Sequence, residues 1–185
     1  MRNLLLTLLF ALSALGVSAI AQESGAGTFQ QVKAKTLDKE KFTFPDDVRG
    51  SQLNVMFLDM ATGRSSEEAQ VGELIDWHVA LEKRGVFDEQ VIPYHFPVVA
   101  GAPSFVKGAI TGKMKKSYKG KVPFSQVSVL FIKDLAAFAN SAGLAVDGQP
   151  TIVITTSDAK PLQTFKGQVS PDGVDEIVTA IGKLK

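Results

Sequence analysis

The chain has 185 residues, 45% of them hydrophobic, with 20 basic residues against 19 acidic ones and no cysteine. The near-neutral balance argues against general nucleic-acid binding, whose phosphate electrostatics need a basic excess. Without a thiolate there is no thiol redox chemistry, no disulfide and no cysteine-held metal. The length and apolar content suit one domain with a real core and no need of disulfide support.

The first 21 residues read as a signal peptide. Arg2 supplies the positive start, Leu4 to Val17 is an apolar run interrupted only by Thr7, Ser13 and Gly16, and Ala19-Ile20-Ala21 is a small-x-small cleavage site. The run is short for a membrane span, and no other apolar run approaches about 18 residues. Cleavage after Ala21 and export to the periplasm are expected, an uncleaved N-terminal anchor being the alternative. Residues 22–27 read as a flexible polar tail, and 28–185 as a single domain.

In chain order, Phe29 to Val32 and Phe42 to Phe44 are strand-like runs joined by the turn-rich Thr36 to Glu40, which predicts a hairpin. Asn54 to Asp59 is a continuous apolar run that reads as a buried strand. A turn over 61–66 follows, and then an amphipathic helix from Glu67 to Arg84. Ser65 and Glu68 fit a capping box for that helix, with Val71, Leu74, Ile75, His78 and Leu81 as its apolar stripe. Val91 to Val99 is β-rich but broken by Pro93 and Pro97, which favours an edge or bent strand. Val106, Ile110 and Met114 suggest a helix over 104–118 that Gly108 and Gly112 weaken. Val127 to Ile132 is a short apolar strand, and Asp134 can cap a helix ending at Gly143. Thr151 to Thr156 and Leu162 to Phe165 form a second predicted hairpin. Ser170-Pro171 opens a last helix with Val174, Ile177, Val178, Ile181 and Leu184 on one face.

Chemistry-bearing groups are sparse. Thr62, Gly63, Arg64, Ser65 and Ser66 sit where backbone amides, hydroxyls and a guanidinium converge at a helix N-terminus, which can hold a carboxylate or phosphate. The alternative is that the serines only cap the helix and Arg64 is solvated. His78, within an apolar stripe, reads as a satisfied core histidine. It is about 18 Å along the helix from Ser65 and Ser66, too far to serve as their base. Two histidines on separate elements without clustered carboxylates point to no metal site, and no cofactor motif is found. Met56 and Met60 read as packing. From Gln90 to Lys133 there is no acidic residue, and Lys107, Lys113, Lys115, Lys116, Lys119 and Lys121 fall inside as a basic surface. This is a solvated face or a weak contact for an anionic surface.

The strand, turn and helix over 54–84, followed by Gly148-Gln149-Pro150-Thr151 leading into a second strand, resemble a thioredoxin-like domain. From about Phe42 to Leu184 the chain resembles the cysteine-less periplasmic thioredoxin-like family typified by YtfJ. The resemblance is carried by Ala61-x-Gly63-Arg64-Ser65-Ser66, by Met114-Lys115-Lys116 with Pro123-x-Ser125-Gln126, and by Gly167-x-x-Ser170-Pro171. A more distant similarity is to the Atp10-like assembly factors. These resemblances imply an α/β three-layer fold, a central mixed sheet flanked by helices, with an N-terminal β-hairpin extension. They also imply a cis Pro150 against the 62–66 turn, leaving backbone beside Gln149 free to pair with an extended ligand; the alternative is a proline that merely shapes the loop. The implied function is a non-enzymatic peptide- or protein-binding or assembly-helper module, its partner unidentified. The alternative is a small-anion binder or non-thiol enzyme using Arg64, Ser65 and Ser66.

Overall fold

The computed structural model describes residues 22–23, 27–48, 50 and 52–185, with backbone alone for 22–23 and 64–67. The expected signal peptide lies outside the described residues. The strands are β1 (Gln22–Glu23), β2 (Val32–Lys35), β3 (Lys41–Phe44), β4 (Leu53–Asp59), β5 (Val91–Ala100), β6 (Leu130–Ile132), β7 (Thr151–Thr156) and β8 (Pro161–Lys166). The helices are α1 (Arg64–Lys83), α2 (Ser104–Tyr118), α3 (Leu135–Ser141) and α4 (Pro171–Leu184).

Six strands form one sheet in the order β1-β8-β7-β4-β5-β6, and β2 and β3 form a separate antiparallel hairpin. β4 lies at the centre, parallel to β5 and antiparallel to β7, so that Phe57 has His95 on one side and Ile152 on the other. All seven residues of β4 are buried, because both faces of the sheet are covered. Strand alternation divides them. Leu53, Val55 and Phe57 pack with Leu74, Trp77 and Leu81 of α1 and Ile177 and Ile181 of α4. Met56 and Leu58 face the opposite layer, with Phe42 and Phe44 of the hairpin and Phe138 of α3. There Phe44 meets Phe96 edge-on at 4.8 Å between centroids and Phe29 at 5.1 Å, geometries worth about 0.5–1.5 kcal/mol per pair beyond area burial. α2 packs beside α1, with Met114 and Tyr118 against Val71 and Ile75.

Pro93 and Pro97 are tolerated in β5 for a directional reason. The carbonyl of His95 accepts from Ser128 N–H on the β6 side, so the missing N–H groups two residues either way point to that same side. β6 pairs only with Val98–Ala100, so this outer side of β5 is largely an edge. The expected helix caps divide. Ser170 Oγ accepts from Gly173 N–H at 3.1 Å and Asp134 Oδ1 from Ala137 N–H at 3.0 Å, as read. The cap position expected at Ser65 is corrected. α1 begins three residues before the expected Glu67, with Gly63 as N-cap and no side-chain cap, which places Ser65 inside the first turn. Glu68 pairs instead with Lys113 at 2.7 Å. Within the expected tail, Gln22 and Glu23 pair with Thr164 and Gln163 on the edge of β8. Among the described residues no helix is long and apolar enough to cross a membrane.

Candidate functional site

β4 ends at Asp59, 2% exposed, whose Oδ1 accepts the Ala61 N–H at 3.3 Å and starts the turn into α1. Thr62 and Gly63 then lie exposed at the carboxyl end of the sheet. They line a cleft of about 390 Å³ together with Asp59 and Ala61. Its other wall is Val98, Val99 and Ala100 at the end of β5, with Leu135 from the start of α3. Crevices outside the carboxyl ends of strands are where open α/β sheets bind ligands. This one has an apolar wall facing a polar one. The side chains of Arg64, Ser65 and Ser66, the other expected members of the turn, lie outside the described residues.

Gln149 and Pro150 do not line that cleft. Among the described residues the cis peptide is Phe44–Pro45, so the Gln149–Pro150 bond is trans, contrary to the resemblance. The loop is held otherwise. Gly148 takes φ +76°, Gln149 N–H donates to Asp147 Oδ1 at 3.1 Å, and Pro150 O accepts from Gly167 N–H at 3.1 Å. Gly148 O accepts from Gln70 Nε2 of α1 at 2.8 Å, and Gln149 O from Thr151 Oγ1 at 3.1 Å. The backbone expected to meet an extended ligand is therefore bonded within the chain. Sequence reading missed Gln70, which is 3% exposed and ties this loop to α1.

The two histidines meet. His78 of α1 and His95 of β5 share one hydrogen bond, Nδ1 to Nε2 at 3.1 Å, and are 2% and 0% exposed. His95 stacks on Phe57 at 4.3 Å, and Tyr118 stands edge-on to it at 5.2 Å. Burial holds His95 well below the usual imidazole range, with His78 beside it adding to the effect. Burial also lowers His78, partly offset by the charge of Glu82. One nitrogen of the pair donates and the other accepts. His95 Nδ1 has no partner among the described residues, and an orphaned acceptor is more tolerable than an orphaned N–H. Donation from His95 Nε2–H to His78 Nδ1 is thus the better arrangement. The Tyr118 hydroxyl is fully buried without a partner among the described residues, and its ionisation is pushed up by burial and then by Asp59. His78 is a core histidine, as the apolar stripe implied. Its partner had no signal in the sequence, because periodicity names a face and not what packs there.

The six lysines of the basic stretch lie on α2 and the turn after it. Lys116, Lys119 and Lys121 are exposed, while Lys107 and Lys115 set their ammonium groups 5.1 Å and 5.9 Å from the ring centroids of Phe131 and Phe124.

No family model and no curated protein match the sequence. Solved structures do. BsSco, described as a member of the Sco family of cytochrome c oxidase assembly proteins, superposes with a TM-score of 0.58 at 11% identity, over 88% of this chain and 96% of that one. The exposed lipoprotein thioredoxin Etrx1 of Streptococcus pneumoniae gives 0.52 at 14% identity, over 84% and 100%. A DsbF homologue from Corynebacterium diphtheriae gives 0.53 at 13%, over 93% and 96%. The fold is thioredoxin-like. At these identities the likeness carries the architecture alone. The place where such a domain turns from its central strand into a helix is filled here by Thr62, Gly63, Arg64 and Ser65.

Proposed function

We propose that this chain is an exported, redox-inactive thioredoxin-fold protein that binds a peptide or protein segment and serves as a helper of assembly in the periplasm. The observation that carries the reading is the cleft at the end of β4 and β5, kept open on a thioredoxin-like scaffold whose chain has no cysteine. Val98, Val99 and Leu135 offer an apolar wall to a side chain, and Thr62 and Asp59 offer polar groups opposite. The YtfJ-like resemblance, the Atp10-like similarity and the assembly role named for BsSco all favour a partner-binding role over a reaction. Anion capture at Arg64, Ser65 and Ser66 is the weaker reading, because Asp59 lines the same cleft and an acidic side chain there works against an anion.

The test is affinity capture from periplasmic extract, comparing the native chain with Ala100→Trp, which fills the cleft from an exposed position, and with Pro150→Ala. Ala100→Trp is expected to lose the captured partners and Pro150→Ala to keep them. Identical capture by the native chain and Ala100→Trp, both folded by circular dichroism, overturns the cleft as the site.

A further inference from the structure

α2 presents an outward face that the fold does not use. At 100° per residue, Phe105, Ala109, Gly112, Lys116 and Lys119 fall within an arc of about 80°. Met114 and Tyr118, on the other side, are buried. Phe105 is 86% exposed, while among the described residues the other large apolar side chains are buried or half-buried, Leu184 at 39% excepted. A Cβ added at Gly108 or Gly112 meets nothing within 4 Å, so neither glycine is required by packing inside the molecule, although glycine weakens a helix interior. The stripe therefore begins with one aromatic ring, is flat in the middle and ends in lysines. Lys121, exposed in the turn after α2, lies beside Lys119 at its end.

The charge is one-sided. Seven of the chain's 20 basic residues lie between Gln90 and Lys133 with no acid among them, and outside that segment acids outnumber bases 19 to 13. Among the described residues no ion pair is found for Lys107, Lys115, Lys116, Lys119 or Lys121; Lys113 alone of the six is paired, with Glu68.

We propose that this face of α2 docks on an anionic lipid surface, with Phe105 entering the headgroup boundary and Lys116, Lys119 and Lys121 lying over the phosphates. The stripe is flat over Ala109 and Gly112, and only its lysine end borders a hollow, an open one of about 500 Å³ lined by Lys119, Lys121, Val122, Pro123 and Phe124. Compact ammonium charges spread along such a face suit a diffuse array of phosphates better than a shaped protein site, which favours the bidentate fork of arginine. A partner helix would need apolar anchors at successive turns, and after Phe105 this face has only Gly108, Ala109 and Gly112 to offer. The proposal is independent of the cleft at β4 and β5, so either can fail without the other.

The experiment is co-sedimentation of the chain beginning at Gln22, which contains every described residue and lacks the apolar 4–17 run. The vesicles are phosphatidylcholine alone, or phosphatidylcholine with an equal part of phosphatidylglycerol. Binding is expected to the anionic vesicles only, and to weaken at least about tenfold from ~20 mM to ~150 mM salt. Lys116→Gln/Lys119→Gln/Lys121→Gln is expected to abolish it. Phe105→Ala is expected to weaken it about fivefold or more without lowering the melting temperature. Equal binding to both vesicles, binding to neither, or anionic binding that either variant leaves unchanged overturns the proposal. Absence of vesicle binding combined with salt-sensitive retention on immobilised polyglutamate would assign the face to an acidic protein instead.

Discussion

Acidification should destabilise this domain through the His78–His95 pair well before its carboxylates matter. Both imidazoles are buried and both are held below their ordinary range, so the folded state resists protonating them at a pH where the unfolded chain takes up protons. A group depressed in this way contributes stability that is complete above the unfolded value of about 6.5 and declines as pH falls below it. A histidine that stays neutral in the fold loses about 2 kcal/mol of that contribution by pH 5. His95, fully buried with an orphaned Nδ1, should supply that amount. His78 should add less, since Glu82 favours its charged form. The combined loss from pH 7.5 to 5.0 is then about 2–4 kcal/mol, a large part of the 5–15 kcal/mol typical of a domain. Urea unfolding at several pH values measures it, followed by circular dichroism and by Trp77, the single tryptophan, which is fully buried and donates to Gly167 O at 3.0 Å. The control is His78→Leu/His95→Phe, which replaces both partners by apolar groups and leaves no half of the pair unsatisfied. Its stability should be nearly flat across the same window. The depressed carboxyls of Glu68, Asp88 and Asp158 act nearer pH 4, so they do not mimic the effect. A native chain with flat stability, or a double variant with the native slope, would refute the reasoning.

Two further substitutions probe features that packing leaves unused. Tyr118→Phe removes a buried hydroxyl with no partner among the described residues, so stability should be unchanged or higher by up to about 1 kcal/mol; a loss of that size in urea unfolding would mean that the hydroxyl is bonded after all. Gly108→Ala and Gly112→Ala place a methyl in open space on the outer face of α2 and should each add about 0.5–1 kcal/mol. A lower melting temperature for either would contradict the open environment described for that face.

What the sequence made legible follows from how local each signal is. Both later helices were readable because Ser170 and Asp134 cap them through bonds three residues long. α2 was readable in spite of its glycines, since Met114 and Tyr118 pack against Val71 and Ile75 and tertiary contact outweighs weak propensity. The start of α1 was misread because the Ser65–Glu68 spacing is locally ideal, whereas Gly63 takes the extended N-cap conformation and Glu68 is drawn to a lysine 45 positions away. The site was half legible for the same reason. Thr62 and Gly63 announce a turn, but the wall they face comes from Val98 to Ala100, brought alongside by the parallel register of β4 and β5, and from Leu135 at the start of α3.

The Pro150 loop departs from the arrangement that the resemblance implied. The resemblance implied a proline loop with free backbone beside the 62–66 turn, the arrangement by which an extended chain can be held against a reactive thiol. Here Gln70 spans from α1 to the Gly148 carbonyl, Asp147 takes the Gln149 N–H, and Thr151 takes the Gln149 carbonyl. A ligand strand would have to displace these bonds, and a buried side-chain amide left without its acceptor costs about 1–3 kcal/mol. Gln70 is 3% exposed, and its Oε1 already lacks a partner among the described residues, so the amide has little to gain elsewhere. On the proposed function, closing the proline side while leaving the β5 side open would confine recognition to the cleft between Thr62 and Ala100. A thiol at the turn would need its substrate presented from the proline loop. A chain without a thiol has no such need, and the Gln70 bond to the Gly148 carbonyl is compatible with that.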